Sequence, residues 1–484
     1  MLMDRSSLRQ QLLELHQAAL AFSRQADGLS DSARISAANL LAYVELRRHD
    51  LSQLQLELAD VGLSSLGRLE GQVLNLLEHV LQWLDGWQGQ FSRPSRAEAE
   101  DILAARSRAL FGRPRPARDT RIMVTLDHEV ERPKDYIQDL LVAGMDIARV
   151  NCGHGSAADW RMLVDTIRAV EENLAREGRP QPRRCRVLFD LAGPKLRVGH
   201  LTEPRQLGRG DTLTLARSAT AGSGEAVPCT LPGALAAVER GHRVAVDDGK
   251  FLGRVTDLDD HSVTVEITAP AAKRKLKSGK GINLPDTRID LPALTEQDRS
   301  DLQAVADIAD ALGLSFVHRP EDLVDLHRAL EELGRSQLGI VAKIETQMAT
   351  RNLAAILLTG LTLPAFGVMI ARGDLAVEVG FEDLAVMQES ILCLCEAAHV
   401  PAIWATQVLE TLARSGLPAR AEITDAAASR RADAVMLNKG PHVSAAVSML
   451  DRLLTAEQRH RTKKRQLFRE FIAQEVPLAP PAKR

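Results

Sequence analysis

The stretch Gly339–Glu345, GIVAKIE, decides how the chain is read. Its apolar run Gly339, Ile340, Val341 predicts a buried strand. The charges that follow, Lys343 and Glu345, put the strand's C-terminal end at a polar surface. Residues two apart on a strand point to the same side, so Lys343 and Glu345 present together. The same pattern recurs in RIMVTL (121–126), MDIARVN (145–151), RVLFDL (186–191), GLSFVH (313–318), FGVMIARG (366–373), PAIWATQ (401–407) and DAVMLNKG (433–440). Amphipathic stretches such as PKDYIQDLLVAG, AADWRMLVDTIRAVEENLA, PEDLVDLHRALEEL and LAVMQESILCLCEAA lie between them. Eight alternating strand and helix units predict an α/β chain built on a TIM (β/α)₈ barrel.

In such a barrel the chemistry lies at the C-terminal strand ends. Here those ends carry Arg149 and Asn151, Asp190, Lys343 and Glu345, Arg372 and Asp374, Thr406 and Gln407. A single strand-end lysine or aspartate is ordinarily a solvated loop residue or a structural ion pair. Convergence of many polar ends changes that reading. Two carboxylates, Glu345 and Asp374, beside lysine and arginine form the oxygen-ligand set that holds Mg²⁺ against a phosphorylated or enolate-forming substrate.

The alternation breaks between FDLAGPKLRVG and GINLPDTRIDLPALTEQD, where DTLTLA, HRVAVDD, FLGRVTDL and SVTVEITA alternate with Gly and Asp turns. These pieces predict a small inserted β domain, of the β-barrel kind, placed to close over the barrel mouth as a lid. Before the barrel, LRQQLLELHQAALAF sets Leu8, Leu12, Leu15, Ala19 and Phe22 on one face, and residues 1 to about 90 continue as an α-helical domain. Phe111–Asp119, FGRPRPARD, reads as a linker. The expected division is 1–118 helical extension and linker, 119–197 and 288–460 the two parts of the barrel, 198–287 the inserted domain and 461–484 a tail. The basic RHRTKKRQLFRE reads as a solvated helix end.

With 61 basic and 64 acidic residues, bulk charge points to neither nucleic acid nor an anionic membrane. Five scattered cysteines without metal spacing suit a reducing cytoplasm. The start MLMDRSSLRQ shows no secretory pattern. Leu353–Ala371 is uncharged, but Gly360, Pro364 and Gly367 break it into a helix end, a loop and a short strand rather than a membrane span.

The stretches GMDIARVNCGHG, FDLAGPKLR, KGINLPDTRIDLPALTEQD, SFVHRPEDL, AKIET, VMIARGDLAVEV, PAIWATQVLE and PARAEITDAA resemble the pyruvate kinase family, in the same order, across about residues 120 to 455. The resemblance implies phosphoryl transfer between phosphoenolpyruvate and a nucleoside diphosphate, giving pyruvate and nucleoside triphosphate, by a cytoplasmic homo-oligomer that uses Mg²⁺ or Mn²⁺. It implies that Lys343 stabilises the phosphoryl group in flight, that Glu345 and Asp374 hold the metal, and that Thr406 relays a proton to the enolate carbon. The amides of Gly373 and Asp374 would bind substrate oxygens. Arg149 and Arg197 would contact phosphates, with Asn151 and His154 on the nucleotide side. His154 reads equally as a turn residue; Thr406 also reads as a cap of its strand, but its place in ATQ favours the functional reading.

This chain also departs from the pattern. After the first strand, where the family has Gly-Pro-Ala-Ser, stand Asp127, His128, Glu129 and Val130; after the eighth, Ser-Gly-Glu-Thr is replaced by Asn438, Lys439, Gly440 and Pro441. A family-type regulatory domain after the barrel is not expected, nor is the usual effector control. Of a monovalent-cation site, Asn151 and Asp190 remain, while Gly153 and Leu191 offer no side-chain oxygen. Lys195 stands where K⁺-dependent members carry glutamate, so its ammonium is expected to replace K⁺ and pin Asp190, unless it is a solvated loop residue. K⁺ is then not required. Two other readings stay open: an enolate-stabilising lyase or aldolase on a phosphoenolpyruvate-binding barrel, and a non-catalytic regulatory homologue.

Overall fold

A computed structural model describes residues 5–85, 90–177, 184–217, 226–289, 291–462 and 465–466. Eight parallel strands close into one barrel: β1 (Arg121–Thr125), β2 (Ile147–Asn151), β3 (Arg186–Asp190), β4 (Ala311–Leu314), β5 (Gly339–Ile344), β6 (Phe366–Ala371), β7 (Ala402–Ala405) and β8 (Ala434–Leu437). Each pairs with its chain neighbours, and β1 pairs with β8 to complete the ring. The strands read as unbroken apolar runs because helices cover their outer side while side chains fill the interior, and β1, β4, β6, β7 and β8 are buried at every residue. Register sets the polar ends level: Asn151 lies opposite Asp190, and Lys343 opposite Met369.

Most strands end short of expectation, the eighth at Leu437 rather than Gly440, and three of these ends shape the mouth. The fourth strand is Ala311–Leu314 rather than 313–318, because Phe316 turns into the left-handed region at φ 55° and ends the extended run. Ser315 to His318 are therefore mouth loop. The sixth strand stops at Ala371, and Arg372 opens a helix, Arg372–Val379, that carries Asp374 in its first turn. The seventh stops at Ala405; Thr406 and Gln407 follow with φ 65° and 58°.

The N-terminal segment folds as α1 (Arg5–Ser23), α2 (Asp31–Leu46), α3 (Ser52–Asp60) and α4 (Val73–Asp85), followed by α5 (Arg96–Phe111). The buried stripe of α1 runs Leu8, Leu12, His16, Ala19, with Leu15 and Phe22 only partly covered. His16 fits there because Glu78 of α4 meets it at 3.0 Å. The 111–119 stretch was read as a linker, yet Phe111 ends α5 and is buried with Leu110 against Met123, Ile147, Ala311 and Val341 at the barrel's N-terminal end. Gly339 and Gly367, at the starts of β5 and β6, make room for it: a Cβ on either would stand 2.5 Å from a Leu110 methyl. Helix α2 is tied to the same end, with Asn39 Nδ2 donating to Ala397 O at 2.8 Å and Ser36 Oγ against His399 Nδ1 at 2.8 Å, and α5 adds Arg106, donating to Ala398 O at 2.9 Å.

Between β3 and β4 the inserted segment forms a five-stranded antiparallel sheet from Thr212–Ala216, Arg243–Val246, Phe251–Leu258, Ser262–Ala269 and Ile282–Asn283, with Arg205–Leu207 paired to Arg274–Leu276. It has its own core, including Leu213, Val244, Phe251 and Val263. Its two stalks carry Lys195 and Arg197 outward and Asn283 back, so both return to the barrel mouth. After the last barrel helix, Val443–His460, only 461–462 and 465–466 of the tail are described, as a short antiparallel pair; the rest of the expected helix end lies outside the described residues. Among the described residues no helix is long and apolar enough to cross a membrane. All five cysteines are buried.

Candidate active site

At the C-terminal end of the barrel a cavity of about 150 Å³ is lined by Arg149, Asn151, Lys195, Arg197, Ser315, Lys343, Glu345, Asp374 and Thr406, among others. Lys343 is its hub. Because β5 turns Lys343 and Glu345 to one side, their side chains meet at 2.9 Å, and the ammonium also lies 3.2 Å from Asp190 Oδ2 and donates to Ser315 Oγ at 2.6 Å. Asp190, at the end of β3, is 1% exposed. Its Oδ2 also accepts from Arg149, whose Nε is at 2.9 Å and whose second terminal nitrogen is closer still, while Arg149 donates to Thr125 Oγ1 at 2.9 Å. Asp190 Oδ1 is buried without a hydrogen-bond partner among the described residues.

Burial works against the charges of Asp190, Lys343 and Glu345, and the neighbours decide the outcome. Burial pushes Asp190 up, but Lys343 and Arg149 overcome it and hold the carboxyl below its usual range. For Lys343 burial favours the neutral amine, and Asp190 with Glu345 reverses this, so the ammonium is held above its usual value. Glu345 goes the other way. Burial raises it, Asp374 adds to the rise, and Lys343 does not fully compensate.

Asp374 sits at the N-terminus of Arg372–Val379. Lys195 reaches both its oxygens at 2.9 Å, and Asn283 donates to it at 3.4 Å and to Glu378 at 3.3 Å. Burial raises Asp374, but the Lys195 charge outweighs it and keeps the carboxyl low. Burial also pushes Glu378 up to about 7. The expectation that Lys195 pins Asp190 is therefore corrected: Asp190 is held by Arg149 and Lys343, and the stalk of the inserted domain carries Lys195 across to Asp374. Of the expected cation ligands, Asn151 Oδ1 accepts from Gly153 N at 3.0 Å in a local turn.

Thr406 is presented by the left-handed turn after β7, which Arg372 braces by donating to Ala405 O at 3.0 Å and Thr406 O at 2.5 Å while pairing with Asp425. Its Oγ1 is buried and has no hydrogen-bond partner among the described residues. Gly373 lies beside it; a Cβ there would be 3.7 Å from Thr406 Oγ1. Gly373 and His154 are outside the cavity lining, His154 being on an exposed loop past β2. Ser315, Thr125, Asn283, Glu378 and the Arg372–Asp425 pair were not singled out in the sequence. Asn283, Ser315, Glu378 and Asp425 had a legible signal, their places in GINLPDTRID, SFVHRPEDL, VMIARGDLAVEV and PARAEITDAA.

A divalent ion suits two of these residues. Glu345 keeps an uncompensated demand for positive charge close to Asp374. No group of three or more His, Cys, Asp or Glu side chains able to hold a metal exists among the described residues. Two carboxylates with the remaining positions left to water and substrate oxygens is the arrangement Mg²⁺ tolerates.

A family model described as the pyruvate kinase barrel domain matches residues 117–444. A pyruvate kinase of Methylorubrum extorquens is 34% identical over 326 residues, covering 66% of this chain and 64% of the relative. One from Staphylococcus saprophyticus is 30% identical over 325 residues, covering 66% and 53%. One from Staphylococcus aureus is 31% identical with the same coverage. The chain thus spans between about half and two thirds of the length of these relatives. With the closed barrel, its inserted β domain and the match to residues 117–444, the chain belongs to the pyruvate kinase family.

Proposed function

We propose that the protein transfers a phosphoryl group between phosphoenolpyruvate and a nucleoside diphosphate, giving pyruvate and nucleoside triphosphate. The observation that carries this is the buried Lys343 ammonium, held between Asp190, Glu345 and Ser315 at the head of a cavity that also receives Arg149, Lys195 and Arg197. Phosphoryl transfer asks a protein mainly for positioning and for fixed positive charge around the equatorial oxygens. Lys343 meets both needs, because three contacts fix its Nζ and its neighbours keep it charged.

In this reading the bond from phosphorus to the enol oxygen breaks as a bond to a terminal oxygen of the acceptor forms. Lys343 and Arg149 stabilise the charge that spreads over the phosphoryl oxygens. Glu345 and Asp374 would hold Mg²⁺ or Mn²⁺, which would add positive charge for the phosphoryl and enolate oxygens. The amides of Gly373 and Asp374, at a helix N-terminus, face substrate oxygens. Thr406, whose buried hydroxyl has no hydrogen-bond partner among the described residues, passes a proton to the enolate carbon. Asn151, His154 and Arg197 lie toward the acceptor. Lys195 supplies a fixed cation on Asp374, and K⁺ is not required. We place the enzyme in the cytoplasm as a homo-oligomer.

Purified protein given phosphoenolpyruvate, Mg²⁺ and a panel of nucleoside diphosphates should release pyruvate only when a nucleotide is present. Pyruvate formed equally well without nucleotide would favour a lyase. No turnover with any acceptor would favour a regulatory homologue.

A further inference from the structure

At the N-terminal end of the barrel, opposite the reaction cavity, the helical extension and the strand starts enclose a second cavity of about 240 Å³. One wall is α5, which buries Ala99, Leu103 and Ser107 one turn apart on a single face, and side chains this small leave the space open. The facing wall is barrel: Arg121 opens β1, Asp433 precedes β8 and His399 lies on the approach to β7. The segment ahead of α4, with Arg68 and Glu70, closes a third side. Neither the extension nor the barrel forms this cavity alone.

The lining carries both arginines and carboxylates, and their engagements differ. Arg121 is 4% exposed and donates to Gly112 O at 2.6 Å, Ser107 Oγ at 2.9 Å and Asp119 O at 3.0 Å, all neutral acceptors. With a further bond from Nε to Gly112 O, these contacts use Nε, both hydrogens of one terminal nitrogen and one of the other, which leaves one N–H for a ligand. No carboxylate lies within 4.0 Å of this guanidinium among the described residues. Burial lowers its pKa, and Asp433 is the strongest influence in the other direction. Arg68 and Arg108, at the rim, are exposed and have no side-chain partner among the described residues. The carboxylates are mostly committed. Asp433 Oδ2 accepts from Ala402 N at 3.0 Å, Glu100 meets Arg96 at 3.5 Å, Glu70 accepts from Cys393 Sγ at 3.6 Å, and Glu396 is engaged as well, while Asp119 stays in solvent. A modest surplus of positive charge results, with one guanidinium on the buried face and two at the rim.

We propose that this cavity binds a small monocarboxylate with an apolar body, its carboxylate drawn to Arg121 and the rim arginines and its chain laid against Ala99, Leu103 and Ala104. A buried guanidinium that meets only neutral oxygens gains most from an anion, and the planar fork of arginine matches a carboxylate. A dianion such as a phosphate suits the cavity less well, because Asp433, Glu70 and Glu396 stand in the same lining and oppose a second negative charge. The apolar face of α5 accepts a short hydrocarbon chain. The site gives the helical extension a role, since a ligand held there touches extension and barrel together and ties one to the other. It depends on neither the phosphoryl transfer nor the metal.

Hexanoate is the probe, titrated calorimetrically into the full chain. It should bind at least about tenfold more tightly than hexanamide, which lacks the charge, and at least about tenfold more tightly than acetate, which lacks the chain. Hexyl phosphate should bind no more tightly than hexanoate. Because Arg121 also ties Gly112, Ser107 and Asp119 together, the substitutions are placed at the rim. Arg68→Gln and Arg108→Gln should each weaken hexanoate by about two- to fivefold. Ala104→Trp, on the exposed side of α5, should fill the mouth and remove binding while leaving the ligand-free melting temperature unchanged. Hexanoate should raise the melting temperature of the unmodified protein and not that of Ala104→Trp. No heat with any probe, equal affinity for hexanamide, or binding that survives Ala104→Trp overturns the proposal. Tighter binding of hexyl phosphate overturns the choice of a monoanion, and acetate binding as tightly as hexanoate overturns the choice of an apolar body. Turnover enters none of these measurements, so their failure leaves the proposed function standing, and an absence of pyruvate release leaves this site standing.

Discussion

Lys343→Met isolates the charge at the centre of the site. Methionine fills the space of the lysine stem but leaves two buried carboxylates, and their fates differ. Asp190 keeps Arg149, which contacts it through two nitrogens. Glu345, 2% exposed, keeps only the Phe316 amide at 3.3 Å among its hydrogen-bonding partners in the described residues. Removing one member of a buried ion pair costs about 3–5 kcal/mol, mostly through the charge left behind. Glu345 already titrates above its usual range, and losing Lys343 raises it further. A carboxyl raised in the folded state binds its proton more tightly there than in the unfolded chain. Stability is then fully present below the unfolded pKa and is lost as pH rises through the folded pKa. Lys343→Met should therefore lose more stability at pH 8 than at pH 5, relative to the unmodified protein. Glu345→Gln in the same chain should recover about 2 kcal/mol by removing the stranded charge. Neither change restores turnover, which should fall by at least about 10²–10³ in kcat with the loss of a fixed charge on the phosphoryl oxygens. Denaturant unfolding of the two single variants and the double variant at both pH values, with turnover alongside, checks the chain of argument. Additive stability losses, or a Lys343→Met effect independent of pH, would refute it.

Gly339→Ala forces a Cβ to within 2.5 Å of Leu110 and should cost about 1–3 kcal/mol by overpacking, while combining it with Leu110→Ala should cost less than the sum of the two, as unfolding midpoints will show. Burial raises Glu378 to about 7 from an ordinary value of 4.5, so its contribution to stability falls as pH rises toward 7; Glu378→Gln should remove up to about 3 kcal/mol of that slope in a pH series of melts. Turnover should be equal in tetramethylammonium and potassium chloride at matched ionic strength, and Lys195→Met should lose about 10²-fold, whereas strong K⁺ activation of the unmodified protein would remove Lys195 from its assigned role.

Barrel strands were legible because burial on both sides makes them continuous apolar runs, and their polar ends marked the mouth. The β4 boundary was not, since the aromatic SFVH looks as strand-like as ALGL and only the positive φ of Phe316 separates them. Helix α5 escaped notice because its buried face mixes Ala99 and Ser107 with Leu103 and Leu110, which blurs the apolar period; the Ser95–Glu98 capping box was its readable sign. Lys343 and Glu345 could be paired from strand geometry alone. Lys195 could not be placed, because its partner lies 179 residues away and proximity in sequence favoured Asp190. The 3.0 Å contact between Lys439 and Asp127 was foreseeable only as a meeting of loops, since a closed barrel sets its first and eighth strands side by side.

The most direct measurement follows phosphorus itself: ³¹P NMR of the full chain with phosphoenolpyruvate, Mg²⁺ and a nucleoside diphosphate. The proposed chemistry requires the phosphoenolpyruvate signal to decline as a γ-phosphoryl signal of nucleoside triphosphate grows in equal amount, with one pyruvate formed per triphosphate. Pyruvate accompanied by inorganic phosphate, or an unchanged phosphoenolpyruvate signal with every nucleotide, would contradict it.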